Sequence, residues 1–311
     1  MLLLSVALVL AACGGRGSST AIPGSTAQMP SSLSPAAFTV APMVRTPVQP
    51  SAIMASRRPQ STIQMLGWTQ LSGGAVLVAA SPDGSLWALS SIGTGPDRSI
   101  WHYVNGTWTN IPGAAMRLSV APNGTLWAVN SAGGIYAYNG SWTGIAGGAT
   151  DITVASDGTV YVISNQGGGT FGRDIWRYSG GAWSRMPGAA VRIVASWDPG
   201  TYSGPLDPGG FYAINADTLV YYYSLRAGFN LTSFHVAELA PTQSGGRFEL
   251  GGTANPDGSY PIVYTDLSNP NPATRFGTLE PGAATTISSD GTSVYVTGAA
   301  GGIYKAAVVA R

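Results

Sequence analysis

Residues 108–129 read Trp108-Thr-Asn-Ile-Pro-Gly-Ala-Ala-Met-Arg-Leu-Ser-Val-Ala-Pro-Asn-Gly-Thr-Leu-Trp-Ala-Val129, and residues 134–142 read Gly134-Ile-Tyr-Ala-Tyr-Asn-Gly-Ser-Trp142. Four short apolar runs are separated by Gly, Pro and Asn, and each has the length and the Val, Ile, Trp and Tyr content of a β-strand. Asn123-Gly124 and Asn139-Gly140 are typical two-residue hairpin turns, because both residue types tolerate a positive φ. The stretch therefore predicts a four-stranded antiparallel meander.

The same pattern occurs on both sides of this stretch. Trp68, Trp108, Trp142 and Trp183 hold equivalent positions in successive copies and are 40, 34 and 41 residues apart. A period of about 40 residues with four strands per repeat indicates the blades of a β-propeller. We label the strands of each blade a to d from the central channel outward. Because successive strands are antiparallel, the b–c and d–a connections emerge on one face of the disc and the a–b and c–d connections on the other.

The number of blades follows from the spacing of the copies and from their b–c connections. These are long in blades 1 and 3 (90–99 and 165–174) and short in blade 2 (130–134). A short-type copy returns at 276–304, and the gap after Trp183 has room for two blades. We therefore predict an all-β fold, a six-bladed β-propeller of four-stranded antiparallel blades. Blade 5 (233–279) has no tryptophan, and the pattern does not assign its strands.

The last blade needs a fourth strand to close the ring. Gly67–Leu71 has the sequence of a d strand but no a–c strands before it. We predict that this N-terminal strand completes blade 6, which removes the open sheet edges that a linear stack would expose. The alternative for the fourth strand is Ala306–Ala310.

The repeat motifs resemble those of the tectonin β-propeller family. They are Trp-x-x-Leu/Ile-Pro-Gly-Ala, then Asp/Asn-Gly-x-Val/Leu-Trp, then Ile-Tyr-x-Tyr-Asn-Gly-x-Trp, and they are clearest in 67–196 and again in 275–305. The resemblance implies a six-bladed propeller with lectin-like binding of glycans or lipopolysaccharide. Some members of the family are scaffolds, so the resemblance alone does not decide between the two functions.

The N-terminus predicts export. Residues 1–12 form an apolar run with the length of a signal-peptide core, and Leu10-Ala-Ala-Cys13 resembles the lipobox of bacterial lipoproteins. We predict a signal peptide (1–12), a lipid anchor on Cys13, a flexible low-complexity tether (13–66) and the propeller (67–311), on the outer membrane or cell surface of a bacterium. The alternative is an ordinary secretory signal with a chance cysteine.

Composition excludes several classes of function. The net charge is +1, so nucleic acid is not an expected partner, and the one cysteine excludes a disulfide framework. Asp83, Asp157, Asp257 and Asp290 each precede a glycine. Each is one carboxylate in a tight turn of the a–b/c–d face, whereas Ca²⁺ needs six or more oxygen ligands. We predict no metal and no cofactor.

Candidate ligand-binding residues lie in and after the two long b–c loops. Each loop pairs an acid with an arginine, which suits hydrogen bonding to sugar hydroxyls, and each is followed by a tryptophan that offers an aromatic platform. The candidates are Asp97, Arg98, Trp101, Arg173, Asp174 and Trp176. The structural alternatives are surface ion pairs that hold the loops and tryptophans that pack in the core, as we expect for the outer-strand Trp108, Trp142 and Trp183.

A second group of charged residues is expected at the central channel. Arg117, Asp151 and Arg192 occupy the same position of consecutive a strands, and their charges alternate in sign. A lining that bridges neighbouring blades is favoured over contact with a ligand.

Three functions remain open at the level of sequence. The first is a cell-envelope lectin that binds glycan or lipopolysaccharide with several weak sites. The second is a scaffold for an envelope protein partner, using the irregular surface of blades 4 and 5. The third is a propeller lyase or hydrolase. We predict no enzyme activity, because His102 and His235 are the only histidines and neither has a nucleophile or metal pattern nearby.

Overall fold

The computed structural model describes residues 64–65, 67–196, 209–224, 227–233, 235–243, 246–266 and 277–309. The predicted signal peptide, Cys13 and nearly all of the predicted tether lie outside these residues. Regular structure in the described residues is β-strand throughout, and no described helix has the length and apolarity needed to cross a membrane. The first five strands of the chain are β1 Gln64–Met65, β2 Thr69–Ala80, β3 Leu86–Ser90, β4 Arg98–Val104 and β5 Thr107–Ala115.

Four blades form separate four-stranded antiparallel sheets, each in the order a-b-c-d. Blade 2 comprises β6 Arg117–Val120, β7 Leu126–Val129, β8 Ile135–Tyr138 and β9 Trp142–Ile145. Blade 3 comprises β10 Ala149–Val154, β11 Val160–Ser164, β12 Arg173–Ser179 and β13 Ala182–Ala190. Blade 4 comprises β14 Arg192–Ala195, β15 Phe211–Ile214, β16 Val220–Ser224 and β17 Gly228–Ser233. Blade 5 comprises β18 Val236–Pro241, β19 Gly246–Gly251, β20 Tyr260–Asp266 and β21 Gly277–Ala284. The predicted four-stranded meanders are thus confirmed, and blade 5 has all four strands.

The first and last parts of the chain share one sheet, which we call the closing sheet. Its C-terminal half contains β22 Thr286–Ser289, β23 Ser293–Thr297 and β24 Gly302–Val309, and its N-terminal half contains β3, β4 and β5. Strand β2 joins the halves, because its first part pairs with β24 (Thr69 opposite Lys305) and its second part pairs with β3 (Ala80 opposite Leu86).

The N-terminal strand therefore pairs with the last strand of the chain, as the sequence predicts. The alternative that Ala306–Ala310 forms a separate fourth strand is wrong, because Ala306 lies within the continuous strand β24. Gln64 and Met65, inside the segment predicted as a tether, pair with the far end of β24 at Val309 and Val308.

The innermost strands surround a central channel. Strands β2, β6, β10, β14, β18 and β22 contact one another in succession, and β22 contacts β2. Their inner edges form no ladder with the next blade, so their N–H groups need other acceptors. Hydroxyls on the preceding inner strand accept some of them: Ser119 Oγ from Val154 N at 3.0 Å, and Ser288 Oγ from Ala80 N at 2.9 Å.

The blades pack face to face through apolar side chains from both surfaces of each sheet. In blade 2, Leu126 and Ala128 are fully buried against Trp87 and Leu89 of the closing sheet, whereas Trp127 packs toward blade 3. The core is therefore a ring of interfaces between neighbouring blades, which requires apolar residues at consecutive positions of each b strand.

The glycine of the repeat's Pro-Gly step, which is Ser72-Gly73 in the closing sheet, has a structural cause at the outer rim. The indole Nε1 of Trp108 donates to the carbonyl of Ser72 on the preceding d strand at 2.8 Å, and Trp68 donates to Pro281 at 2.7 Å. The neighbouring Gly73 has φ +93°, and a Cβ there would approach Trp108 Nε1 to 3.2 Å. Glycine at this step thus permits both the bulge in one blade and the close approach of the next blade's tryptophan.

Candidate functional site

Two pockets lie at equivalent positions between neighbouring blades, both at the b–c/d–a end of the sheets. Pocket A separates the two halves of the closing sheet and has a volume of about 260 Å³. Pocket B separates blade 5 from the C-terminal half of the closing sheet and has a volume of about 670 Å³. The strand register makes them counterparts, since Trp101 in pocket A lies opposite Ala88 and Tyr304 in pocket B lies opposite Val296.

Pocket A is an apolar slot with one aromatic wall, which two tryptophans form. Trp101 of β4 and Trp108 of β5 line one side, and Gly73-Gly74 of β2 lines the other. The indole Nε1 of Trp101 donates to Ser99 Oγ at 3.2 Å, which fixes the ring. Ile92 in the b–c loop is 84% exposed at the entrance. The slot can hold the apolar face of a flat ligand.

Pocket B repeats this design with more polar surroundings. Tyr304 and Trp68 replace the two tryptophans, and Gly282-Ala283 replaces the two glycines. Asp257 also lines this pocket. The sequence-based assignment of Asp257 to an a–b/c–d turn is wrong, because the turn joins β19 to β20 and is therefore a b–c connection. Its Oδ1 accepts hydrogen bonds from Ser259 N at 3.0 Å and Ser259 Oγ at 2.6 Å.

The equivalent c-strand position differs from blade to blade. In blade 2 it is Tyr136, which is buried, and in blade 3 it is the half-buried Trp176. In blade 5 it is Val263, and Gly277 replaces the d-strand tryptophan. The aromatic pair is thus present in some interfaces and lost in blade 5, so the potential sites are not identical.

Of the candidate residues in and after the first long loop, Asp97, Arg98 and Trp101 do not form one common site. Trp101 lines pocket A, as described above. Asp97 does not pair with Arg98: its two oxygens accept hydrogen bonds from Ser131 N at 2.6 Å and Ser131 Oγ at 2.7 Å. Asp97 therefore links the b–c loop between β3 and β4 to the b–c loop of blade 2. Arg98 is the first residue of β4, and its Nη1 is buried without a hydrogen-bond acceptor among the described residues.

The second long loop also departs from a simple acid–arginine pair. Arg173 and Asp174 begin β12, and Asp174 Oδ1 pairs with Arg185 Nη2 at 2.8 Å rather than with Arg173. Arg185 lies directly opposite Trp176 in the ladder, so the ion pair and the indole are neighbours. Arg173 is exposed, and its Nη1 donates to the carbonyl of Asn165. The sequence pattern did not single out Arg185.

The channel contains a row of alternating charges. Arg117, Asp151 and Arg192 all line it, and Glu238 of blade 5 adds a fourth charge at the same register position. Arg117 Nε is 3.5 Å from Asp151 Oδ1, Arg192 Nη1 is 3.9 Å from the same oxygen, and Arg192 Nη2 donates to Glu238 Oε1 at 2.8 Å. The charges connect consecutive blades 2 to 5 at one mouth of the channel.

Burial shifts the acid–base properties of this row. Burial and the nearby charge of Arg192 lower the pKa of Arg117. Burial also raises the pKa of Glu238, although Arg192 opposes the shift. For Arg192, burial would lower the pKa, but the charges of Glu238 and Asp151 outweigh it and leave the pKa raised. Arg192 is therefore held charged by its two acids, whereas Arg117 has the weaker support.

One Asp–Ser–His group lies on the opposite face. Ser85 Oγ is 3.1 Å from His102 Nε2, and Ser85 N donates to Asp83 Oδ1 at 2.9 Å. His102 stacks on Trp87 with a centroid distance of 3.8 Å, and burial lowers its pKa. Because Ser85 is buried between the other two, this is not the serine–histidine–acid order of a nucleophilic triad. No cluster of three or more potential metal ligands occurs among the described residues.

The comparison with known families agrees with the repeat motifs. The family model of the Tectonin domain matches residues 92–204, so the tectonin resemblance is confirmed for this part of the chain. Such a propeller is consistent with a lectin-like or a protein-interaction role. No curated protein has a significant sequence match to the chain.

Three solved structures align with this chain at low sequence identity. A chain of a mitotic checkpoint complex aligns with a TM-score of 0.50 and 7% identity, covering 86% of this chain and 99% of that chain. Hydrazine synthase from Kuenenia stuttgartiensis aligns with a TM-score of 0.44 and 14% identity, covering 73% and 75%. A fungal alcohol oxidase of the AA5 family, in complex with copper, aligns with a TM-score of 0.48 and 15% identity, covering 76% and 61%.

Proposed function

We propose that this protein is a non-catalytic lectin that binds carbohydrate in the pockets between its blades. The observation that carries the proposal is an aromatic wall facing a glycine-containing wall at two register-equivalent positions, pockets A and B. The C–H faces of a pyranose ring are apolar and slightly positive, so they stack favourably on the electron-rich face of an indole or phenol. Glycine leaves room for the ring to lie flat.

We also propose that the ring has six blades, with the closing sheet counted as two. The succession of six inner strands around the channel supports this count. Several related but unequal pockets would then lie on one face of one molecule. Weak binding at each pocket gives strong attachment to a polymer that carries many copies of the same sugar.

Polar groups at the pocket mouths would select among sugars. Pocket B offers Asp257, and the interface before blade 3 offers the Asp174–Arg185 pair beside Trp176. Arg98 and Arg173 begin the corresponding strands of two blades and can donate to hydroxyl or acidic groups. We therefore propose complex envelope glycans or lipopolysaccharide as the ligand class.

The test is binding of the full chain to a glycan and lipopolysaccharide array, followed by Trp101→Ala. We expect selective binding that free sugar competes away, and a loss of about tenfold in affinity in the variant, because one aromatic contact contributes about 1.5 kcal/mol. Trp101→Phe is the matched control, since it keeps an aromatic face in pocket A. Equal binding by wild type and Trp101→Ala would exclude pocket A as the site.

A second candidate function is a protein-interaction scaffold. It is favoured by exposed apolar side chains on the same b–c/d–a face: Ile92 at 84%, Val191 at 46% and Phe171 at 43% exposure. A blank array with a folded protein would favour this function, and crosslinking through this face to envelope proteins would identify the partner.

The proposal places the protein on a bacterial membrane through lipid on Cys13. It rests on the sequence Leu10-Ala-Ala-Cys13 after the apolar run. We expect the wild-type protein to fractionate with membranes and Cys13→Ser to fractionate with the soluble proteins, because one substitution removes the acceptor thiol. Membrane association that persists in Cys13→Ser would contradict lipid attachment at this residue.

A further inference from the structure

The row of charges at the channel mouth is incomplete. Its position recurs on all six inner strands, where the register gives Leu77, Arg117, Asp151, Arg192, Glu238 and Thr286. The four charges are consecutive, and Leu77 and Thr286 interrupt the ring between Glu238 and Arg117. The two middle members, Asp151 and Arg192, have partners on both sides, whereas Arg117 has a charged partner on one side only.

Arg117 is poorly satisfied by the protein. Its Nε is 3.5 Å from Asp151 Oδ1, is buried, and makes no hydrogen bond within the described residues. Its Nη1 reaches only the carbonyl of Met116, at 3.3 Å. A buried guanidinium donor without an acceptor is costly, and most such groups in proteins have a partner. The side chain is nevertheless 30% exposed, so a ligand can reach it from the channel.

The channel beside Arg117 has room for a small molecule. The whole channel pocket, which Arg117 lines, has a volume of about 100 Å³, enough for a few non-hydrogen atoms. Leu77 is on the neighbouring inner strand, on the side of Arg117 away from Asp151. An anion placed there would accept from Arg117 and be attracted by Arg192. Asp151 and Glu238 balance the charges of Arg117 and Arg192, so the row has little excess positive charge to offset the larger desolvation cost of a ligand of charge −2.

We propose that the channel mouth binds a small carboxylate monoanion, which pairs with the Arg117 guanidinium. A carboxylate is planar and matches the two parallel N–H bonds of an arginine fork, whereas a phosphate dianion is bulkier and costs more to desolvate. This site is separate from pockets A and B, and it does not depend on the proposed lectin function.

The first test follows the guanidinium directly. Sodium acetate is titrated into the ¹⁵N-labelled full chain at constant ionic strength, maintained with sodium chloride, and the Nε–H signals of the arginines are recorded. We expect the Arg117 signal to move saturably while the Arg177 signal stays fixed, because Arg177 lies on β12 away from the channel. No movement of the Arg117 signal, or equal linear drifts of both signals, would overturn the proposal.

The second test uses unfolding temperature and matched charge-neutralising variants. Acetate is expected to raise the Tm of wild type and of Arg177→Gln, and to leave that of Arg117→Gln unchanged. Inorganic phosphate at the same ionic strength is expected to have a smaller effect. Equal stabilisation of Arg117→Gln by acetate, or stabilisation of wild type by phosphate alone, would overturn the carboxylate site. If Arg117→Gln does not fold, the movement of the Arg117 signal in the wild-type protein still tests whether acetate binds at Arg117.

Discussion

Glu249→Ala is expected to lower the free energy of unfolding by about 3–5 kcal/mol, because it leaves a buried arginine without its counter-charge. Arg247 is 0% exposed, its Nε donates to Glu249 Oε1 at 2.6 Å, and its Nη1 donates to Thr232 Oγ1 at 3.1 Å. The guanidinium also lies 4.8 Å from the centroid of the Tyr212 ring in blade 4. Chemical denaturation of the full chain, monitored by circular dichroism, would measure this change in the free energy of unfolding.

The double variant Arg247→Leu/Glu249→Ala is the control for this expectation. The register places Arg247 and Glu249 where blade 2 has Leu126 and Ala128, so the double variant restores the residues of an ordinary blade interface. Replacing a buried ion pair by apolar residues is often neutral or stabilising, and we expect the double variant to be within about 1 kcal/mol of wild type or above it. A double variant as unstable as Glu249→Ala would show that the pair is required for more than charge balance.

Trp142→Ala is expected to cost about 3 kcal/mol or more, and Trp142→Phe about 1 kcal/mol. The alanine variant loses the packing of a large aromatic on Tyr138, whose ring centroid is 4.9 Å away, together with the bond from the indole to the carbonyl of Pro112. The phenylalanine variant keeps most of the packing and loses the hydrogen bond. Blade 4 already carries Phe229 at the equivalent position, beside Gly188.

The same denaturation measurement separates the two contributions of Trp142. A cost for Trp142→Phe equal to that for Trp142→Ala would contradict the expectation, because it would assign the whole effect to the hydrogen bond. A negligible cost for both variants would mean that the link between the d strands of blade 2 and the closing sheet contributes nothing to stability.

The strands were predictable from the sequence wherever short-range chemistry determines them. Asn123-Gly124 places a turn, and alternate residues on either side then face neighbouring blades. The charges Arg117, Asp151 and Arg192 were found because each follows a Pro-Gly or Gly-Gly step at a similar offset. Glu238 was missed because blade 5 replaces the apolar markers of the repeat with Arg247 and Glu249, so only the pairing of β18 with β19 reveals its register.

The sequence predicted one aromatic residue of pocket A but not its opposite wall, because the pocket forms between two blades. Trp101 was singled out from its position after a long loop, whereas Trp108 was interpreted as core packing and in fact also lines pocket A. The other wall comes from Gly73 and Gly74, which are distant in sequence. Likewise, the partner of Asp97 is Ser131 in the next blade, and no local pattern around Asp97 indicates that residue.

The pairing of β1 with β24 determines the face of the disc at which the chain enters the propeller. Gln64 lies opposite Val309, at the end of β24 farthest from the b–c connections, so the chain enters the disc on the side away from pockets A and B. Attachment of the molecule through its N-terminus would thus leave the face that carries the pockets uncovered. Neighbouring copies on one surface would all keep their pockets accessible, and a polysaccharide chain leaving one copy would meet the next before it diffused away.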